Sequence, residues 1–234
     1  MLVVGLGNPG SRYEGTRHNV GAEVIVVLAA RTGVTLKRAR RFIRADVGEV
    51  RLGETPVILA LPRTFMNSAG QVVAPLARYY HVDPEWLFVV HDDIDLPFGK
   101  LRPQGGRGSG GHKGVASVVR SMGTREFWRL KIGVGRPPGH QDPADYVLKR
   151  FSKKERPEMD LVVQYAADVV ETFAKVARQV PARLLLVGEG PELAATEALV
   201  AQAATPPTDP PCAPRCLAAP SRWRWPTPVR PAPR

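Results

Sequence analysis

Side chains that could activate a water molecule occur in two short stretches of the sequence. His18 directly precedes an apolar run at 20–30, and Asp92 lies in the sequence His91-Asp92-Asp93-Ile94-Asp95 after another apolar run. An imidazole, with an ordinary pKa of about 6.5, suits a general base at neutral pH, and a carboxylate can orient it. The same acids with a histidine also suit a divalent metal ion, and a solvated turn closed by Pro97 is a further alternative.

Two asparagines follow predicted strands and could bind a carbonyl oxygen. Asn8 lies in Gly5-Leu6-Gly7-Asn8-Pro9-Gly10, after the apolar run 2–4, and Asn67 follows the apolar run 57–61. An amide can donate a hydrogen bond to an oxygen that becomes negative during a reaction. Asn67 also stands where the next helix would have its N-cap, a role that requires no chemistry.

Glycine spacing in the same N-terminal turn matches the dinucleotide-binding fingerprint, Gly5-x-Gly7-x-x-Gly10. That fingerprint places its third glycine in the start of a helix and an acid about 20 residues further on. Here Pro9 interrupts the turn, and no acid stands at the expected place in the next strand-like run. An ordinary strand-to-helix turn is therefore favoured over a nucleotide cofactor.

A Gly-rich stretch at residues 105–114 contains six glycines and precedes an apolar helical pattern. Bare backbone amides at a helix start can bind an anion, whereas a flexible linker is the simpler interpretation. No Lys-Ser or Lys-Thr pair follows the glycines, which excludes a Walker loop. Basic residues in and around the stretch make contact with an RNA backbone plausible.

These residues must be positioned by alternating strands and helices. Strands are predicted at 2–7, 42–50, 57–61, 87–91 and 130–134, and helices at 20–30, 67–80, 115–122 and 161–177. Alternation predicts a single α/β domain whose sheet is covered by helices on both faces. Since 42–50 and 57–61 form a predicted hairpin, we expect a mixed, twisted β-sheet. Ligands of such sheets bind at the carboxyl ends of the strands, where Asn8 and His18 would meet.

Charge and hydropathy limit the class of protein. The 234 residues carry a formal net charge of +11, and residues after 180 contribute only +2, which leaves +9 on the predicted domain. This excess favours a polyanionic partner, with nucleic acid first. No apolar run approaches the ~18 residues of a membrane helix, and no secretory leader is evident, so a cytoplasmic location and no membrane contact are expected.

Composition changes towards the C-terminus. Ten of residues 205–234 are proline, and both cysteines, Cys212 and Cys216, lie there. So many prolines cannot continue a helix or pair in a sheet. We predict a catalytic domain over residues 1–190, followed at 191–234 by a weak helix and a disordered tail rich in proline and arginine. With the cysteines outside the domain, water is the simplest nucleophile.

Taken together, the motifs resemble the bacterial-type peptidyl-tRNA hydrolases. Five stretches fall in that family's order and spacing over residues 1–185: Gly5-Leu6-Gly7-Asn8-Pro9-Gly10 with Tyr13 and Thr16-Arg17-His18-Asn19, Thr64-Phe65-Met66-Asn67-Ser68-Ala69-Gly70, His91-Asp92-Asp93-Ile94-Asp95-Leu96-Pro97-Phe98-Gly99, Gly110-Gly111-His112-Lys113-Gly114, and Arg129-Leu130-Lys131-Ile132-Gly133. The resemblance implies hydrolysis of the ester that joins a peptide to the 3′ end of tRNA. It also implies a monomer that needs no metal, no cofactor and no obligate protein partner.

The resemblance further implies roles for individual residues. His18 would be the general base, Asp92 would orient it, and Asn8 would complete the catalytic group. The residues expected to contact the substrate are Tyr13, Phe65, Met66, Asn67, His112 and Lys113. Apart from the resemblance, the positive charge in and around the Gly-rich stretch predicts contact of Arg102, Arg107 and Lys131 with the RNA backbone. Lys113 departs from the family, which usually has Asn there. A non-catalytic RNA-binding member is the alternative, and such a protein would be expected to lack His18 or Asp92.

Overall fold

The computed structural model describes residues 1–40, 42–137 and 139–177, and in them seven strands form one sheet. The order is β2-β3-β4-β1-β5-β7-β6. β1, β4, β5 and β7 run parallel, whereas β2, β3 and β6 are antiparallel to their neighbours, so the predicted mixed sheet is confirmed. The strands are β1 Leu2–Gly5, β2 Lys37–Arg38, β3 Ala45–Leu52, β4 Thr55–Pro62, β5 Leu87–Asp93, β6 Leu101–Gly105 and β7 Trp128–Gly133.

Helices cover both faces of the sheet, as predicted. They are α1 Val20–Thr32, α2 Gly70–Tyr79, α3 Lys113–Met122, α4 Pro143–Val147 and α5 Glu155–Val176. Val3 belongs to the apolar core under α1 and α5, while its neighbours Leu2 and Val4 belong to the core under α2 and α3. Central strands are therefore apolar at successive positions, because both of their faces are buried.

Two glycines bring α1 close to the central strands. A β-carbon at Gly21 would overlap the carbonyl oxygen of Val90 in β5, and one at Gly5 would overlap the carbonyl oxygen of Gly21. This contact draws the start of α1 towards β1 and β5. The 3₁₀ turn Arg17–Asn19, which immediately precedes α1, is thereby held at the carboxyl end of β5.

The structure corrects several predicted boundaries. β3 begins at Ala45 rather than at residue 42, and Phe42 is 91% exposed. Asn67 lies in the 3₁₀ turn Met66–Ser68, and α2 begins at Gly70 with Ala69 as its N-cap, so the alternative that Asn67 only caps this helix is wrong. α5 begins six residues before the predicted start at 161. β2, β6 and α4 were not predicted.

The predicted C-terminal region, residues 191–234, lies outside the described residues. Within the described part of the chain, no helix has both the length and the apolar character needed to cross a membrane.

Candidate active site

A cavity of about 560 Å³ opens where β1, β4 and β5 end and α3 begins. Its wall is completed by the segment that contains α4. The sequence therefore identified the correct edge of the sheet. Eight of the predicted site residues line the cavity: Asn8, His18, Phe65, Met66, Asn67, Asp92, His112 and Lys113.

Asp92 is the centre of the polar network in this cavity. Its side chain is 2% exposed, and one carboxylate oxygen, Oδ1, lies 2.8 Å from His18 Nδ1 and 2.9 Å from His112 Nε2. Burial alone would raise the pKa of Asp92, but the charges and hydrogen bonds of the two imidazoles outweigh it and hold that pKa well below its ordinary value. Asp92 is therefore a carboxylate, and both imidazole nitrogens donate to it.

The tautomers of both histidines follow from these contacts. His112 is the N-cap of α3, and its Nδ1 accepts a hydrogen bond from the backbone N–H of Val115 over 3.2 Å. Nδ1 of neutral His112 therefore carries no proton, and Nε2 carries the hydrogen donated to Asp92. Because Nδ1 of His18 also donates to Asp92, the free lone pair of neutral His18 is on Nε2. That nitrogen can accept a proton.

Asn8 is held by backbone and side-chain hydrogen bonds on two sides. Its N–H donates to Asn19 Oδ1 over 2.8 Å, and Asn19 Nδ2 donates to the carbonyl oxygen of Asn8 over 2.9 Å. The Asn8 Oδ1 accepts from the N–H of Met66 over 2.8 Å. This last bond fixes the amide orientation and leaves the Nδ2 donors for a ligand. Asn19 was quoted in the motif but was not predicted to have this role.

Exposed side chains form the outer wall of the cavity. Phe65 is 58% exposed, and its ring lies 6.4 Å from the ring of Tyr13, edge to face. Asn67 is also exposed and lines the cavity, so it can present its amide to a ligand although it caps no helix. Lys113 is the exposed first residue of α3. Tyr13 does not line the cavity but extends its aromatic rim.

A buried arginine that the sequence did not single out anchors the turn that carries His18. Arg17, adjacent to His18, binds both carboxylate oxygens of Glu155 at 2.7 and 2.9 Å. Its Nη1 donates to the carbonyl oxygens of Lys149 and Arg150, and its guanidinium lies 4.2 Å from the centre of the Tyr146 ring. These contacts join the turn to the segment after α4. The only sequence signal was the position of Arg17 between Thr16 and His18.

The three predicted RNA-contact residues differ in their surroundings. Arg102 and Arg107 are exposed. Lys131 instead forms a 2.8 Å ion pair with Asp93, and its side chain is only 15% exposed. This pairing neutralises the charge on which the prediction for Lys131 depended. Its Nζ lies near the Gly-rich stretch, since a β-carbon added at Gly110 would come within 3.9 Å of it.

Arg129 is a second buried arginine that sequence reasoning missed. It donates to the carbonyl oxygens of Arg107 and Gly108, each over 2.6 Å. The Gly-rich stretch is thus fixed to β7 rather than being a free linker. Its course returns the chain to the cavity, where His112 meets Asp92.

The acids after β5 do not assemble into one metal site. Asp93 pairs with Lys131, and Asp95 pairs with Arg136 at 2.6 Å. His91 is fully buried and donates from Nδ1 to the carbonyl oxygen of Asp92 over 2.7 Å. Among the described residues, the group with the spacing of metal ligands is His18, Asp92 and His112, whose hydrogen bonds to one another already account for their proximity.

A mixed α/β fold that holds a carboxylate-oriented imidazole beside a free amide donor has the groups that a hydrolase needs. The sequence profile of the family described as "Peptidyl-tRNA hydrolase" matches residues 2–184. The chain belongs to the peptidyl-tRNA hydrolase family.

Individual relatives agree with this assignment. The "Peptidyl-tRNA hydrolase" of Mycobacterium marinum is 49% identical over 176 residues, which cover 75% of this chain and 92% of the relative. The protein of the same name from Rhodococcus opacus is 52% identical over 175 residues, with the same coverage. The crystal structure of peptidyl-tRNA hydrolase from Acinetobacter baumannii superposes with a TM-score of 0.70 at 33% identity, covering 85% of this chain and 93% of that one.

Proposed function

We propose that this chain hydrolyses the ester joining a peptide to the 3′ end of tRNA, and that the nucleophile is a water molecule activated by His18. The observation that carries the mechanism is the paired hydrogen bonding of Asp92 Oδ1 to His18 and His112. It directs the basic nitrogen of His18 away from Asp92. Family membership supports the reaction and the RNA substrate.

In the proposed mechanism, His18 takes up one proton and gives it back within each reaction cycle. His18 Nε2 removes a proton from water as its oxygen attacks the ester carbonyl carbon. The bond from that carbon to the ribose oxygen breaks, and the imidazolium returns its proton to the ribose oxygen. The products are a peptide acid and tRNA with a free 3′ end. Asp92 stabilises the transient positive charge on His18.

Side-chain amides on the cavity wall bind the substrate during the proposed reaction. Asn8 has its Oδ1 occupied by the N–H of Met66, so its Nδ2 is the donor available to the carbonyl oxygen that becomes negative. Asn67 would bind the peptide backbone from the exposed side of the cavity. Tyr13 and Phe65 would contact the terminal nucleotide, for which an aromatic rim provides a stacking surface.

Location and assembly belong to the same proposal. An RNA substrate used in translation supports a cytoplasmic location. The catalytic residues His18, Asp92 and Asn8 all come from one chain and meet in one cavity, which is consistent with action as a monomer without an obligate protein partner.

Release of peptide from purified peptidyl-tRNA tests this function. We expect hydrolysis by the wild-type chain, and His18→Ala should lower kcat by about 100- to 10,000-fold because the general base is lost. Binding of uncharged tRNA should persist. EDTA should leave wild-type hydrolysis unchanged, since the proposed mechanism uses no metal ion.

Three outcomes would contradict parts of the proposal. A wild-type chain that binds tRNA without hydrolysing its ester would favour the non-catalytic alternative. Hydrolysis by His18→Ala within about tenfold of the wild-type kcat would remove His18 as the base. Hydrolysis that is lost in EDTA and restored by a divalent cation would replace the metal-free mechanism.

A further inference from the structure

A basic patch lies outside the active-site cavity. Residues 37–44 contain five Lys or Arg residues and no acid. The structure describes four of these cations as exposed, and they surround the exposed Phe42. We define the patch by these five residues: Lys37, Arg38, Arg40, Phe42 and Arg44.

The patch lies at the same edge of the sheet as the cavity. β2 ends at Arg38, and the chain returns as β3 at Ala45, which pairs with Pro62 at the carboxyl end of β4. The backbone N–H of Arg63 donates to the carbonyl oxygen of Arg44 over 2.7 Å. Two residues after Arg63, the chain reaches Phe65 on the cavity rim. A continuous surface therefore leads from the cavity to the patch.

Its cations are available to an external anion. Within the described ranges, Lys37, Arg38, Arg40 and Arg44 form no ion pair with a carboxylate. Two exposed arginines elsewhere, Arg31 and Arg136, are by contrast each paired with acids. Uncompensated positive charge of this density repels itself, and a polyanion would relieve that repulsion.

Phe42 narrows the choice of polyanion. Its side chain is 91% exposed between cations, where it contributes little to the core. A partner that offers only phosphate groups would be bound by the Lys and Arg side chains alone. An RNA offers phosphates together with bases, on which an aromatic ring can stack. The nearby ring of Tyr79 is 42% exposed, and Arg40 lies 5.3 Å from its centre.

We propose that this basic patch binds the RNA body of the substrate, beyond the 3′ end held in the cavity. Arg38 and Arg44 contact phosphates, and Phe42 stacks on a base or ribose. The inference rests on the proposed function for the identity of the RNA. It places the tRNA on the β2 side of the cavity, in addition to Arg102 and Arg107 on the β6 side.

A paired set of charge variants tests the patch. Arg38→Gln/Arg44→Gln removes two cations from it. The matched control, Arg51→Gln/Lys175→Gln, also removes two exposed cations. Arg51 lies at the turn between β3 and β4, and Lys175 lies near it at the end of α5. Both are at the end of the sheet where β4 begins, opposite the patch. Both variants lower the net charge by the same amount. The readouts are the Kd for uncharged tRNA at several salt concentrations, and KM and kcat on peptidyl-tRNA.

For the patch variant we expect Kd and KM to rise about tenfold at 0.1 M salt, with kcat unchanged. The slope of log Kd against log salt should fall by about 2, one for each lost phosphate contact. Phe42→Ser should raise Kd by about fivefold or more without changing that slope. The control should keep the wild-type KM and differ little in salt slope.

A truncated substrate separates the patch from the catalytic site. An N-acetyl-aminoacyl ester of the trinucleotide CCA occupies the cavity but cannot reach the patch, so the patch variant should hydrolyse it at the wild-type kcat/KM. Equal losses in the patch and control variants would overturn the proposal, as would an unchanged salt slope. Loss of hydrolysis of the trinucleotide ester would also overturn it, because the effect would then lie in the cavity. The Kd for uncharged tRNA is measured without hydrolysis. A wild-type chain that binds tRNA but does not hydrolyse peptidyl-tRNA would therefore contradict the proposed reaction and not the patch.

Discussion

At the scale of single residues, the site depends on one oxygen atom. Asp92 Oδ1 accepts from two imidazoles, and only one of them, His18, has a free ring nitrogen on the cavity side. The other ring nitrogen of His112, Nδ1, accepts a hydrogen bond from the N–H of Val115. We expect His112 to act as a positioning residue, because its contact holds the carboxylate that in turn holds His18.

His112→Asn separates capping from positioning. Asparagine is a good N-cap and should keep the bond to Val115, but it is too short to reach Asp92. A hydrogen bond to a charged group contributes about 1.5–3 kcal/mol, so kcat should fall about 10- to 100-fold while KM and Tm change little. Steady-state kinetics and thermal unfolding measure the two effects.

The companion variant His112→Ala loses the cap as well, so it should show the same fall in kcat with a lower Tm. If His112→Asn keeps a kcat within twofold of the wild type, then His112 does not position Asp92 for the reaction.

The sequence allowed some of these residue contacts to be predicted and not others. Asn8 and His18 were placed at one edge because one follows a strand and the other precedes a helix there, and the family resemblance paired Asp92 with His18. His112 was expected to contact substrate, although it binds Asp92, because a one-dimensional pattern does not show which loop returns to which strand. The Lys131–Asp93 pair was missed for the same reason, since the partners lie on neighbouring strands far apart in the chain.

At the scale of elements, the central strands were predictable and the edge strands were not. β1, most of β4 and the first half of β5 are apolar at successive positions because both of their faces are buried, whereas β7 alternates apolar residues with Arg129 and Lys131. β2 is two exposed basic residues, and β6 contains Pro103 and a single large apolar residue, so neither has the pattern of a buried strand. α5 starts earlier than predicted because its first turns are polar.

Close packing of α1 gives a prediction at this scale. Gly21→Ala would drive a β-carbon into the carbonyl oxygen of Val90, and backbone cannot move as a side chain can. We expect a loss of about 1–3 kcal/mol or more in the free energy of unfolding. Activity should fall as well, since the displaced helix carries His18 away from Asp92. Urea unfolding and hydrolysis assays measure both.

Gly108→Ala is the matched control for that substitution. A β-carbon at Gly108 meets no atom within 4 Å, and its φ is not in the left-handed region. It should change stability by less than about 0.5 kcal/mol. If Gly21→Ala is equally mild, the helix can move outwards freely and its close approach does not fix His18.

At the scale of the whole molecule, acid stability depends on a buried histidine. His91 is 1% exposed, and its Nε2 has no hydrogen-bond partner in the described structure. Burial, with the neighbouring charge of His112, lowers the pKa of His91 to about 3. In the unfolded chain a histidine titrates near 6.5, so between these values the unfolded state binds a proton that the folded state does not.

Stability should therefore fall as the pH decreases from about 6.5 towards 3, with His91 contributing up to about 1.4 kcal/mol per pH unit. Above about 6.5 this contribution vanishes. His91→Asn keeps a short donor for the carbonyl oxygen of Asp92 but does not titrate, so its stability should depend less steeply on pH. Urea unfolding at pH 7.5, 6.5, 5.5 and 4.5 measures the slopes.

His81→Asn is the control, because it removes an exposed imidazole at a left-handed position that asparagine tolerates. It should keep the wild-type slope. An unchanged slope in His91→Asn would show that His91 is protonated as readily in the folded state as in the unfolded chain.

The Arg17 anchor has a consequence for the order in which the protein becomes active during synthesis. Arg17 emerges early, but its acceptors and ion-pair partner lie 132 to 138 residues later in the chain. Contacts of such separation close long loops and are formed late. A nascent chain that ends before Lys149 thus contains every residue proposed for catalysis, yet it lacks the groups that hold the turn bearing His18. Hydrolysis would begin only when the domain is nearly complete.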